Sequence, residues 1–139
     1  MLRNVFVYGT LMRGLSNSRC IPNDAIEKIE EGTVTGRLYY VSSGHYPCLK
    51  LNGDNTIYGE LYTIKEKHWK ETLESMDALE GCPTLYTREQ IKVKTKNGEK
   101  DAWVYVFNLD EFLGEEITSG RFTGPKRSKN LKTQSVFYL

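Results

Sequence analysis

Apolar residues stand consecutively at Val5-Phe6-Val7-Tyr8 and give way to Gly9-Thr10. A short apolar run closed by turn residues predicts a buried strand that hands the chain to a loop, here Leu11 to Asn17. From Thr33 to Val41 the pattern becomes alternation, with Val34, Gly36, Leu38 and Tyr40 on one face and Thr35, Arg37 and Tyr39 on the other. Ile57 to Ile64 alternates in the same way, and both segments predict strands. Between them Ser42-Ser43-Gly44-His45-Tyr46-Pro47 reads as a turn-rich loop. A hairpin is predicted from Glu89 to Thr95 through Asn97-Gly98 to Asp101–Phe107, because Asn-Gly readily supplies the positive backbone angles of a tight turn. Its second arm, Ala102 to Phe107, is apolar on both faces and is expected in the middle of a sheet.

Helical spacing is clearest from about Glu66 to Glu80, where Gly81 and then Pro83 stop it. A shorter helix is expected around Asp24 to Glu31. After Asn108 the periodicity weakens, and Gly114, Gly120 and Gly124 precede a basic stretch of Lys126, Arg127, Lys129 and Lys132. No segment repeats. Five or more strands with one main helix predict an α+β fold, a compact curved mixed sheet or small β-barrel. Residues 1–139 are expected to form a single domain, with about 108–139 a C-terminal segment packed on it.

Composition narrows the function classes. Lys and Arg number 19 against 18 Asp and Glu, a net charge of +1, so no global field draws the chain to nucleic acid or an anionic membrane. No apolar stretch approaches the roughly 20 residues that span a bilayer. The three cysteines, Cys20, Cys48 and Cys82, show neither metal spacing nor a disulfide framework. Met1 leads straight into a strand-like run without the features of a signal peptide. The expectation is a soluble cytoplasmic protein acting on a small molecule; the sequence sets no oligomeric state.

On a helical wheel, Trp69, Leu73 and Met76 form an apolar stripe roughly 60° wide, and Glu80 projects into its middle. Lys67, Lys70 and Glu74 fall mostly on the opposite side, so Glu80 breaks the binary pattern. It also lies in the last turn, where the helix dipole disfavours negative charge. Burial and dipole together would raise its carboxyl above the usual value of about 4.3 and suit it to proton exchange near neutral pH. The competing reading is a helix end that frays at Gly81 and releases Glu80 into solvent. Asp77, at the stripe's edge, is the rival for the same role, and Glu66 is explained by its place in the first turn.

Tyr8-Gly9-Thr10-Leu11, with Arg13-Gly14 and Asn17 after it, resembles the opening signature of the gamma-glutamylcyclotransferase-like family. Met76-Asp77-Ala78-Leu79-Glu80-Gly81-Cys82-Pro83-Thr84-Leu85-Tyr86-Thr87-Arg88 is similar to that family's catalytic-glutamate region, with Glu80 in the catalytic place. The Cys82-Pro83, Leu85-Tyr86 and Arg88 pattern is closest to the gamma-glutamylamine cyclotransferase branch. The order of the two motifs, about seventy residues apart, and the hairpin that follows make the combination specific. Resemblance covers most of the chain up to about Phe107. Farther on, Ser119-Gly120-Arg121-Phe122 stands where the family usually carries Ser-Gly-Asp-Trp, a departure that bears on substrate choice.

The resemblance implies that a substrate's own alpha-amine attacks its gamma-carbonyl, releasing 5-oxoproline and the attached amine without an enzyme nucleophile or a cofactor. Glu80 would be the acid/base, and Tyr8, Gly9, Thr10 and Leu11 would hold the glutamyl alpha-carboxylate through backbone N–H groups. Tyr86 occupies a family position close to the site, where core packing is the alternative. Arg13 is either a carboxylate clamp or a solvated loop residue. His45 either faces the pocket or lies on the surface, and Cys82, without a visible activator, reads as packing. Two rival functions remain: a non-catalytic module that binds a small carboxylate, and nucleic-acid binding through Lys126 to Lys132.

Overall fold

The computed structural model describes residues 1–15 and 18–125. Its elements in chain order are β1 (Asn4–Val7), β2 (Ile26–Val41), β3 (Pro47–Ile64), α1 (Trp69–Glu80), β4 (Tyr86–Thr95), β5 (Gly98–Phe107) and β6 (Leu113–Glu116). The strands run in the order β3-β1-β5-β4-β2-β6, and β2 also pairs with β3. The first five strands therefore close into a barrel, with β6 added outside β2. Closure removes the sheet edges, apart from the seam between β2 and β4, where Thr33↔Lys94 is the recorded pair.

The apolar run at the N-terminus becomes β1, antiparallel to β3 and parallel to β5. β5 lies between β1 and β4, and Val104, Tyr105, Val106 and Phe107 are buried, as its two apolar faces predict. Its hairpin with β4 turns through Lys96-Asn97, one residue earlier than expected, because Thr95 pairs with Gly98. Gly98 alone of these carries the positive backbone angle, φ 100°.

The helix expected around Asp24 to Glu31 is not formed. A single 3-10 turn over Asn23–Ala25 gives way to β2 at Ile26. The cause is the long ladder with β3, which runs from Ile26↔Ile64 to Tyr40↔Pro47 and satisfies the backbone that a helix would have paired internally. Its charged residues then face outward or find partners: Glu30 receives Lys100 Nζ at 2.5 Å. The same ladder extends the two expected strands far beyond Thr33–Val41 and Ile57–Ile64.

Gly59 shows how tightly the barrel closes. A Cβ placed there would lie 2.3 Å from the Val7 carbonyl oxygen and 2.7 Å from Phe6 Cζ, both on β1. Gly59→Ala is expected to destabilise the protein by about 1–3 kcal/mol, since only strand separation relieves the clash. Urea unfolding midpoints test this, and an unchanged midpoint would mean that the barrel is looser than its geometry.

A 3-10 turn over Glu66–His68 leads into α1. The buried face of α1 is Trp69, Thr72, Met76 and Glu80, with Leu73 only half-buried. Gly81 ends the helix in the left-handed region (φ 61°), with Cys82 N–H donating to the Asp77 carbonyl at 3.0 Å and Gly81 N–H to Ala78 at 3.3 Å. Beyond β5, β6 pairs with Tyr39 and Val41 of β2, and Ile117 and Phe122 are buried. Asn17 and the basic stretch Lys126, Arg127, Lys129 and Lys132 lie outside the described residues. No helix among the described residues is long and apolar enough to cross a membrane.

Candidate active site

The Schellman turn at Gly81 keeps the last turn of α1 intact, so Glu80 continues the buried face instead of fraying into solvent. Its relative exposure is 0%, and neither carboxyl oxygen has a hydrogen-bond partner. A buried acid in that condition is unfavourable to ionise. Burial pushes its pKa well above the ordinary value, with Cys82 and Asp77 adding in the same direction.

Tyrosines from three strand ends gather around it. Tyr8 follows β1, Tyr86 begins β4 and Tyr105 lies on β5, and all three are buried. The charge of an ionised Glu80 helps to raise the pKa of each, behind the larger effect of burial. Tyr8 donates its hydroxyl to the Tyr105 carbonyl at 2.6 Å. Tyr86 donates to the Pro47 carbonyl at 3.2 Å and packs edge-on against Phe107, with ring centroids 5.1 Å apart. Tyr86 is thus a packed core residue on which the charge of Glu80 acts.

Tyr8, Gly9, Thr10 and Leu11 are brought to this end as one buried turn, closed by Met12 N–H donating to the Gly9 carbonyl at 3.0 Å. Arg13 is neither free in solvent nor free to clamp a ligand. Its Nη2 donates to the Ile21 carbonyl (2.9 Å), its Nη1 to Asn23 Oδ1 (3.0 Å) and its Nε to the Tyr62 hydroxyl (3.1 Å). Arg13 thus ties the loop down.

Asp77 is also committed. Its carboxylate receives Arg88 Nε at 2.7 Å and Nη2 at 3.1 Å, together with the Tyr105 hydroxyl at 2.6 Å. Tyr105 was not legible as a site residue, because its run reads as uniform core. Its pairing opposite Arg88 across the hairpin is the missing signal. Cys82 is half-buried beside Glu80, and exposed Cys20 feels the charge of the same carboxyl after the larger effect of its own partial burial. His45 is half-buried, with Nδ1 buried and without a partner.

Arg121 lies away from this cluster. Its guanidinium stacks 3.9 Å above the Tyr58 ring, in a surface cavity of about 970 Å³ that also touches Met12, Glu60 and Phe122. A second cavity of about 680 Å³ opens at the β2–β4 seam between Val34 and Ile91. Neither is lined by Glu80. We place the candidate site at Glu80 because depth, charge and orphaned oxygens coincide there. Among the described residues no cluster of three or more His, Cys, Asp or Glu could hold a metal ion.

Residues 5–124 match the family described as gamma-glutamyl cyclotransferase, AIG2-like. A putative gamma-glutamylcyclotransferase of Vibrio cholerae is 34% identical over 116 residues, covering 84% of this chain and 91% of that one. Gamma-glutamylaminecyclotransferase A of Danio rerio is 33% identical over 129 residues, covering 86% and 77%. The crystal structure of YkqA from Bacillus subtilis superposes with a TM-score of 0.67 at 27% identity, covering 88% of this chain, which spans 40% of that longer protein.

Proposed function

This chain belongs to the AIG2-like gamma-glutamyl cyclotransferase family and is a cyclotransferase, and we propose that it converts a small gamma-glutamyl amine or gamma-glutamyl amino acid to 5-oxoproline with Glu80 as general acid/base. The observation that carries this reading is a carboxyl at 0% exposure with both oxygens unbonded. Such a group is costly to keep unless it serves chemistry.

The alpha-amine of the substrate attacks its own gamma-carbonyl. Ionised Glu80 takes one proton from the arriving ammonium before attack, which frees the nitrogen lone pair, and gives that proton to the departing nitrogen as the old C–N bond breaks. The second amine proton, shed once the new C–N bond has formed, passes by way of Glu80 to the leaving amine, which departs as an ammonium. The protonated amine arriving beside the carboxylate favours the ionised form that the empty site disfavours. Folding the substrate so that amine and carbonyl touch supplies on the order of 7–11 kcal/mol at best. The turn at Tyr8, Gly9, Thr10 and Leu11 receives the alpha-carboxylate through backbone N–H groups, and Tyr86 borders the glutamyl chain. No cofactor enters the scheme. Mass spectrometry for 5-oxoproline after incubation with a panel of gamma-glutamyl compounds tests the reading. Binding without product would mean a non-catalytic carboxylate-binding module.

The leaving group is proposed to be an amine, on the pattern Cys82-Pro83-Thr84-Leu85-Tyr86 and the likeness to a relative named for gamma-glutamylamine. Gamma-glutamyl amines, including gamma-glutamyl-epsilon-lysine, are expected to exceed glutathione in kcat/KM. Glutathione carries a second carboxylate that would need a cation in the outer pocket. Arg121, although outside the Glu80 cluster, is the one proposed to reverse the preference, because its cavity also touches Met12 just after the substrate turn. A tenfold preference for glutathione, about 1.4 kcal/mol of differential transition-state binding, would reverse the branch assignment. Loss of that preference in Arg121→Ala would identify the cause.

A further inference from the structure

Glu80 shares the last turn of α1 with Asp77, three residues earlier and adjacent on the helix surface. Asp77 is the one charged group of that turn with firm tertiary bonds. Arg88 holds it in a two-pronged ion pair, and Tyr105 donates to the same Oδ1 that accepts Arg88 Nε. Arg88 and Tyr105 are direct partners across the β4–β5 ladder, so the helix end is tied to a single rung of the barrel. That rung is itself braced: Arg88 lies 5.2 Å from the centroid of the Trp103 ring, and the Tyr105 carbonyl receives the Tyr8 hydroxyl. The Asp77 carbonyl accepts Cys82 N–H, which fixes the chain just beyond Glu80.

We infer that Asp77, gripped by Arg88 and Tyr105, is the positioning residue of this site, holding the Glu80 carboxyl inside the barrel end and setting the charge beside it. The inference rests on the proposed role of Glu80. The groups around Glu80 are Asp77 on α1, Cys82 after it, Tyr8 following β1, Cys20 from the N-terminal loop, Tyr86 on β4 and Tyr105 on β5, with Arg88 of β4 bonded to Asp77. The three tyrosines are held neutral at ordinary pH by burial. Asp77 and Arg88 form the ion pair of this group. Removing the negative member takes away a charge that opposes ionisation of Glu80, and so favours its ionised form.

Asp77→Asn keeps the size and an acceptor oxygen for Arg88 or Tyr105 while removing the charge. The midpoint of the Glu80 carboxyl, followed by ¹³C NMR and assigned with Glu80→Gln, is expected to fall by on the order of one pH unit in this variant. The acid limb of kcat/KM should move down with it, and kcat should drop about tenfold with little change in KM. Tyr105→Phe, which removes one bond and no charge, should lower kcat several-fold and leave the midpoint in place. Should Asp77→Asn not fold, Arg88→Met supplies the opposite sign: with Asp77 left uncompensated, the midpoint should rise. A midpoint unmoved in a folded charge variant overturns the inference, whatever happens to turnover. A midpoint that moves in a protein without cyclotransferase activity would instead count against the proposed function and leave the positioning role standing.

Discussion

Glu80→Gln is expected to lower 5-oxoproline release by about 10²–10⁴-fold, the usual contribution of a general acid–base group. Substrate affinity should be nearly unchanged, because Gln preserves size and polarity. The same substitution should make the folded protein more stable at neutral pH. The folded-state pKa of Glu80 is raised above its unfolded value of about 4.3, so the protonated carboxyl is tolerated in both states at low pH. As pH rises past the unfolded value, the unfolded chain releases the proton and the folded one keeps it. Wild-type stability then falls by up to about 1.4 kcal/mol per pH unit until the folded value is passed, whereas Gln does not titrate. Unfolding curves of both proteins from pH 4 to 8 should therefore diverge upward from about pH 4.3. A difference that stays flat would contradict the burial of an ionisable group. Activity within about a factor of three of wild type would remove Glu80 as the base and turn attention to Asp77.

Acetylating the alpha-amine of any accepted substrate is expected to abolish the reaction completely, an effect larger than that of any single side chain. The attacking nitrogen lone pair is then delocalised into the amide and no other nucleophile is supplied in the scheme. Amidation of the alpha-carboxylate should act differently, raising KM with a smaller change in kcat, because that group is a handle for the turn from Tyr8 to Leu11 and takes no part in bond making. Comparison of the two modified substrates by product mass spectrometry and steady-state kinetics separates these roles. Efficient turnover of the acetylated compound would rule out intramolecular cyclisation itself.

Both results bear on a site whose parts differed in how far they could be read from sequence. The apolar stripe of α1, its stop at Gly81, the two-sided apolarity of β5 and the short run of β1 follow from residues close together in the chain. Their periodicity is a direct consequence of backbone geometry, and each was legible. The helix expected around Asp24 to Glu31 failed for the complementary reason. Its local preference was overridden by a ladder with β3, whose residues lie far away in sequence. The hairpin turn slipped by one residue because register across β4 and β5, and not the Asn-Gly pair alone, sets which residues close the loop.

For the candidate site, sequence by itself determined which carboxylate stands on an apolar helix face and which turn follows the first strand, since spacing and residue type suffice for both. Only the tertiary structure decided that the helix end does not fray, that Arg13 is tied to Ile21, Asn23 and Tyr62, and that Asp77 is held by Arg88 and Tyr105. Those bonds join residues 11 and 28 positions apart in the case of Asp77, and up to 49 apart in the case of Arg13. Depth of burial and choice of partner depend on how the barrel closes around α1. No local pattern carries that information, because a carboxylate has the same sequence signature whether it meets water, an arginine or nothing.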